Sequence, residues 1–167
     1  MLLDPETVLW NPAPRVLDEP TAADWCRRGA DWGSGEQVTF SVLESTTGQL
    51  VGNICLHHLD SEQASADIGY RVAPWARGGG VATASVRAVS GWAFAVLGLE
   101  RIQLFHALAN PASCRVAQKA GYRVEGTLRA GFVAGDGRRY DEHLHARLRT
   151  DGRDGTDGTD GTDAVTG

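Results

Sequence analysis

The run Arg77-Gly78-Gly79-Gly80-Val81-Ala82 is the stretch of this 167-residue chain whose residue types and spacing speak most directly of chemistry. It follows a strand-like stretch and Pro74, and it opens a helical pattern that carries on to Leu97. A Gly-rich turn at a helix start points backbone N–H groups and the positive end of the helix dipole at whatever lies above it. Such a site favours an anion by about 0.3–1 kcal/mol when exposed and up to ~2 kcal/mol when partly buried. Arg77 is expected to add a fixed positive charge at its mouth. The inference is a phosphate-binding turn. A nucleoside-triphosphate loop of the form GxxxxGK[ST] needs a lysine, and the single lysine, Lys119, lies elsewhere. A dinucleotide fingerprint needs GxGxxG and an acidic residue closing the next strand. Gly78 and Gly80 supply its first half, but Thr83 stands where the third glycine belongs and Glu100 precedes the next apolar strand.

A third pattern, [QR]xxGx[GA], is met in full by Arg77 to Ala82. It resembles the pyrophosphate loop with which the GNAT superfamily of acetyltransferases grips coenzyme A. Residues 101–122, RIQLFHALANPASCRVAQKAGY, resemble the segment after the cofactor helix in the branch related to ribosomal-protein N-terminal acetyltransferases, the RimJ/RimL type. There a strand ends in Asn, a short helix carries Ser three residues later, and Lys-x-Gly-aromatic closes it. Here these are Asn110, Ser113 and Lys119-Ala120-Gly121-Tyr122. The resemblance covers roughly residues 37–148.

The resemblance implies acetyl-CoA as co-substrate, with no metal, and a set of residues that would meet it. Backbone amides of Arg77, Gly78, Gly79, Gly80, Val81, Ala82 and Thr83 would hold the diphosphate. Backbone around Val72 would pair with the pantetheine arm, with Asn110 and Ser113 facing it from the other side. Asp67 sits where many relatives carry a Glu, so it is the first candidate for general base, working through a water. His57 and His58 lie on the neighbouring strand as lesser candidates; His106 and Cys114 read as packing. The Tyr acid that many members carry seven residues after the Asn is replaced by Ala117, so Ser113 is the candidate donor to the leaving thiolate. A base Glu that some relatives carry is replaced near Phe132.

Acetyl transfer to nitrogen needs a polarised carbonyl, a neutral amine and a stabilised thiolate. At pH 7 an α-amine is about 10% neutral and a Lys side chain well under 0.1%. A site with a weak base therefore favours an α-amine or another low-pKa amine. The acceptor stays open between a protein N-terminus and a small molecule. A different class of reading is a non-catalytic acyl-CoA-binding or interaction module.

These residues need a scaffold, and the patterning supplies one. Gln37–Glu44 and Leu50–Leu59 around Thr46-Thr47-Gly48-Gln49 read as a hairpin, and Ala64–Val72 as a third strand with Ile68, Tyr70 and Val72 on one face. Val81–Leu97 reads as a helix with Val81, Ala82, Val86, Val89, Trp92, Ala93 and Val96 on its apolar side. Arg101–Leu108 is a strand, Pro111–Ala120 a short helix, and Tyr122–Val133 with Arg138–Leu148 a closing hairpin. The element order gives a mixed α/β sheet, and the resemblance implies the rest of the expected fold class, α/β (α+β): a GNAT-type, mostly antiparallel sheet flanked by helices.

Residues 1–36 read as a helical acceptor-side segment, with Asp4-Pro5-Glu6 starting one helix and Thr21–Trp32 forming another, in which Ala22, Trp25, Cys26 and Trp32 share a side. The family's first strand is expected to be missing, leaving Val38–Leu43 an uncovered edge and the protein less soluble. Residues 37–150 form the core. Residues 151–167 repeat Asp-Gly-Thr and read as a disordered tail. That tail holds five Asp and one Arg, so most of the net charge of −5 sits there. The nearly neutral remainder argues against nucleic acid. No long apolar window or basic-plus-apolar leader is seen, and the three cysteines lack metal spacing. The expectation is a cytoplasmic monomer or homodimer.

Overall fold

A computed structural model describes residues 3–11, 18–33 and 35–151. The elements run α1 (Pro5–Trp10), α2 (Glu19–Ala30), β1 (Gln37–Leu43), β2 (Leu50–Asp60), β3 (Ser65–Val72), α3 (Val81–Trp92), β4 (Arg101–Ala107), α4 (Pro111–Lys119), β5 (Arg123–Val133) and β6 (Arg139–Leu148). The six strands form one sheet in the order β1-β2-β3-β4-β6-β5, antiparallel except for β3 against β4. The expected core order is therefore present. In the described residues β1 pairs only with β2.

Period-two alternation gives the sheet two unlike faces. The register aligns Val38 with Leu56 and Leu56 with Ile68, and it aligns Phe40 with Ile54 and Ile54 with Tyr70. These apolar rows pack with Val86, Val89 and Ala93 of α3 and its extension, and with Ile102 and Leu104 of β4, as the core. The opposite face aligns Thr39, Cys55 and Gly69, and beside them Ser41, Asn53 and Arg71. It is polar, and α2 lies over the β1 end of it, with Gln37 donating to the Arg28 carbonyl.

The helical pattern expected to run to Leu97 changes pitch. After Trp92 the chain makes a π-helical turn, Ala93–Leu97, ended by Gly98 at φ 70°. The wider turn rotates the side chains it carries out of the 3.6-residue phase. Phe94 is buried, while Val96, expected on the apolar side, is 64% exposed. In α2 the expected shared side is also only partial: Cys26 is exposed, and Trp32 lies beyond the helix, edge-on to Phe40.

Asp4 caps α1 as expected, accepting from the Thr7 N–H at 2.9 Å. The tail expected at residues 151–167 lies outside the described residues except for Asp151, which closes a turn on Leu148. Among the described residues no helix is long and apolar enough to cross a membrane.

Candidate functional site

The sheet opens between β3 and β4. Parallel pairing joins only Ser65 to Arg101, Ala66 to Ile102 and Asp67 to Gln103. Beyond that point each strand stays with its outer partner: β3 pairs with β2 to Val72, and β4 pairs with β6 to Ala107. Among the described residues, the inner edge of Ile68–Val72 has no strand against it. A cleft of about 380 Å³ fills the gap, lined by Ile68–Val72 on one wall and Leu104–Ala107 on the other.

The glycine turn closes one end of this cleft. Gly78 and Gly80 both take φ 80°, a left-handed conformation that glycine adopts at no steric cost. Gly80 is the N-cap of α3 and no side chain caps that end. The first N–H groups of α3 therefore face the cleft, which Gly78, Gly80, Val81, Ala82 and Thr83 line. Of the expected loop residues, Gly79 stands outside this lining.

Arg77 lines the cleft but is not the free charge expected of it. Its guanidinium holds Asp4, Glu6 at 2.7 Å and the Thr7 hydroxyl at 3.0 Å. Its hydrogen bond to Asp4 holds that carboxyl down to about 2. The side chain fastens α1 to the loop, and two carboxylates offset its charge. From the other side α1 rests on the β5–β6 turn, where the Gly135 N–H donates to the Leu9 carbonyl at 2.9 Å. A Cβ at Gly135 would stand 2.1 Å from the Val8 carbonyl oxygen. Phe132, near which the resemblance implied that a base Glu is replaced, lines the cleft and packs beside Trp10.

At the β4 end, Asn110 and Ser113 both line the cleft. Asn110 is the N-cap of α4: its Oδ1 accepts from the Ser113 N–H at 3.1 Å. The cap is thus made by the asparagine, not by the serine hydroxyl. Ser113 Oγ instead lies 2.9 Å from the Tyr70 hydroxyl. Burial pushes the Tyr70 phenol above its ordinary pKa, so it keeps its proton. Ala117, the position at which the resemblance implied the absence of a tyrosine acid, is buried. A tyrosine from β3, not from α4, meets the expected serine.

A second cavity, about 390 Å³, opens on the polar face of the sheet and shares Asn11, Gly69 and Arg71 with the cleft. His57 lines it. The ring lies over Gly69, where a Cβ would stand 3.5 Å from His57 Nε2, an ordinary van der Waals contact. Burial lowers the His57 pKa, and the Asp67 charge opposes the shift. Asp67 itself lines neither cavity. Its carboxylate accepts from His58 Nδ1 at 2.8 Å and from Gln103 Nε2 at 3.4 Å. The expected base thus stands at the last paired rung before the strands part, beside the cavities.

Arg71 escaped the sequence reading, which names only the opposite, apolar face of the strand. Its guanidinium stands 5.8 Å from the centre of the Trp25 ring, its Nε is buried without a partner, and burial pulls its pKa down. The signal was available in principle: an arginine two residues from a glycine on the strand's polar face.

Comparison with known proteins agrees with this geometry. The family model described as "Acetyltransferase (GNAT) domain" matches residues 1–123. The "Putative ribosomal N-acetyltransferase YdaF" of Bacillus subtilis is 32% identical over 133 residues, covering 80% of this chain and 69% of that one. Among solved structures, the ribosomal-protein-S5-alanine acetyltransferase of Vibrio fischeri superposes with a TM-score of 0.77 at 16% identity, over 86% of this chain and 80% of that one. The spermidine N-acetyltransferase of Vibrio cholerae in complex with CoA and spermine gives 0.72 at 21% identity, over 83% and 80%. An open β3–β4 seam, a glycine turn on an uncapped helix and these likenesses converge: the chain belongs to the GNAT acetyltransferase family, in its RimJ/RimL-like branch, and is an acetyltransferase acting on amines.

Proposed function

We propose that this enzyme takes its acetyl group from acetyl-CoA and passes it directly to an α-amine, in a complex holding both substrates. One observation carries the reading. The two cavities meet at Gly69 and Arg71, so a thioester arm in one and an amine in the other would come together at the middle of β3.

In this reading the amides from Gly78 to Thr83 hold the diphosphate, with Arg77 anchoring the loop. The unpaired edge near Val72 holds the pantetheine amides and polarises the thioester carbonyl. The amine enters by the second cavity. Its proton passes to His57, directly or through a water, with the Asp67 carboxylate favouring the protonated ring. Collapse of the tetrahedral intermediate expels the CoA thiolate, which takes a proton from Ser113 or Tyr70.

The described lining of the second cavity contains Arg28, Arg71 and His57 and no carboxylate. Such a lining repels a polycation and suits an amine carried beside carbonyl or carboxylate oxygens, as at a peptide N-terminus. The three cysteines Cys26, Cys55 and Cys114 are free, which supports a reducing, cytoplasmic setting. A panel of N-terminal peptides, amino acids, lysine-containing peptides and polyamines, read by CoA release, tests the proposal. Peptide or amino-acid α-amines are expected to turn over. Turnover confined to polyamines or Lys side chains would overturn the acceptor assignment, and thermal stabilisation by acetyl-CoA with no release on any amine would point to a binding module.

A further inference from the structure

Beneath α4, on the side of the cleft away from the second cavity, three histidines and a cysteine converge. His106 comes from β4, His143 and His145 from β6, and Cys114 from α4. The β4–β6 register sets His106 opposite His143 and Leu104 opposite His145. Alternation then turns all three rings to the sheet face that carries α4. One donor atom from each of the four residues lies within 4.8 Å of every other. His106 and His145 are buried, His145 completely.

We propose that His106, His143, His145 and Cys114 form a site for a divalent transition metal of the zinc type. Three imidazoles and a thiolate are donors that zinc prefers, and four of them complete its tetrahedral shell. The protonation pattern is the strongest support. His106 Nδ1 lies 2.8 Å from the Ala107 carbonyl oxygen, which can only accept, so that nitrogen carries the proton. The lone pair of His106 is thereby fixed on Nε2. That atom stands 3.0 Å from His145 Nε2. Two nitrogens bound to a tetrahedral zinc at 2.0–2.1 Å would be about 3.3 Å apart. Backbone carbonyls that hold the outer ring nitrogen are the usual way a protein orients a metal-binding histidine.

Without a metal, His145 must donate from Nε2 to His106, which leaves its Nδ1 as a bare lone pair in the interior. Among the described residues the Nδ1 atoms of His143 and His145 make no geometrically complete hydrogen bond, but the Tyr122 backbone lies close enough to the His145 ring to favour its protonated form. A metal accepting the Nε2 lone pairs of His106 and His145 leaves the His145 proton on Nδ1, where a backbone acceptor can face it. Cys114 binds as the thiolate and gives its proton to solvent. With four protein donors the shell is closed to substrate, so the role is structural. Cys114 follows Ser113, and His106 lines the cleft. The metal would therefore pin α4 to β4 and β6 and hold Asn110 and Ser113 at the cleft wall. A second group, His57, His58 and Asp67, also clusters. The His58 side chain is 79% exposed, and its Nδ1 is already engaged by Asp67.

The test uses the full chain, stripped with a chelator and titrated with Zn²⁺ or Co²⁺ alone, so that it does not depend on acetyl transfer. One equivalent of Co²⁺ is expected to give the visible bands of a tetrahedral ion and a thiolate charge-transfer band, and Zn²⁺ to raise the Tm. Cys114→Ser should lose the charge-transfer band, His143→Ala should lose the tetrahedral spectrum, and His58→Ala should keep both. A wild-type chain folded by circular dichroism that shows neither cobalt bands nor a zinc-dependent Tm shift overturns the proposal. So does a spectrum that survives Cys114→Ser but vanishes in His58→Ala.

Discussion

The Tyr70 hydroxyl stands 2.9 Å from Ser113 Oγ, although 43 residues separate them in the chain. Both residues line the cleft proposed to hold the thioester arm, and the tyrosine is held in its protonated form by burial. Two hydroxyls in contact can share the delivery of one proton to the leaving thiolate. Tyr70→Phe is expected to lower kcat about 10²-fold, the low end for loss of a general acid, with little change in KM for acetyl-CoA. Ser113→Ala should cost less, about tenfold, because Tyr70 remains. Steady-state kinetics of the two single variants and the double variant check this; the double should fall short of the product of the singles, as expected of residues in contact.

His57 must be neutral to accept a proton from the amine. Burial sets its pKa below the ordinary 6.5, so it is neutral at pH 7 and becomes charged only as the pH falls beneath that value. The acid limb of kcat/KM should therefore lie below pH 6.5, and His57→Ala should remove the limb along with most of the activity. Asp67→Asn takes away the charge that favours the protonated ring, and the limb should move to lower pH. Both are read from pH–rate profiles.

The same depressed pKa has a consequence for stability. The unfolded chain binds a proton at His57 more readily than the folded one, so the folded state loses ground as pH falls from 6.5 toward the folded pKa. Well above 6.5 both states are neutral there and His57 contributes no slope. The Tm of wild type minus that of His57→Gln should therefore fall as the pH is lowered from 7 to 5.

Arg77 is held by Asp4 and Glu6, so the mouth of the phosphate turn is poorer in positive charge than its sequence implies. Glu6→Gln removes one carboxylate without touching the cap that Asp4 makes. Acetyl-CoA should bind about 2–5-fold more tightly, the equivalent of ~0.5–1 kcal/mol. Calorimetry at low and high salt checks it, and the gain should shrink at high salt.

Gly135 allows the β5–β6 turn to lie against α1, and a Cβ there would meet the Val8 carbonyl oxygen at 2.1 Å. Neither partner is the end of a flexible side chain. Gly135→Ala should push α1 away, loosen its hold on Arg77 and raise KM for acetyl-CoA, with a stability loss of about 1–3 kcal/mol. Leu56→Ala, at a fully buried position of β2, should cost ~2–5 kcal/mol and leave KM near its original value in the folded fraction. Denaturant melts together with kinetics separate the two.

Local pattern was enough for much of this protein. Alternation marked the strands, Asp4-Pro5-Glu6 marked a helix start, and the glycines at 78–80 announced a turn at the start of a helix. These are properties of neighbours in the chain, where period and backbone preference act directly. Pairings between distant segments lay beyond that reach. Nothing local tells that Tyr70, read as one apolar tooth of a strand, ends against Ser113, or that Arg77 is taken by two carboxylates over seventy residues upstream. Nor does it tell that Asp67 is engaged by His58 and Gln103 while His57 keeps the cavity. The π-helical turn after Trp92 defeats a 3.6-residue period for the same reason: packing, not propensity, chose which of Phe94 and Val96 to bury. His106, Cys114, His143 and His145 carry no metal spacing in sequence, and only the register of β6 on β4, with α4 laid across them, makes four scattered side chains neighbours.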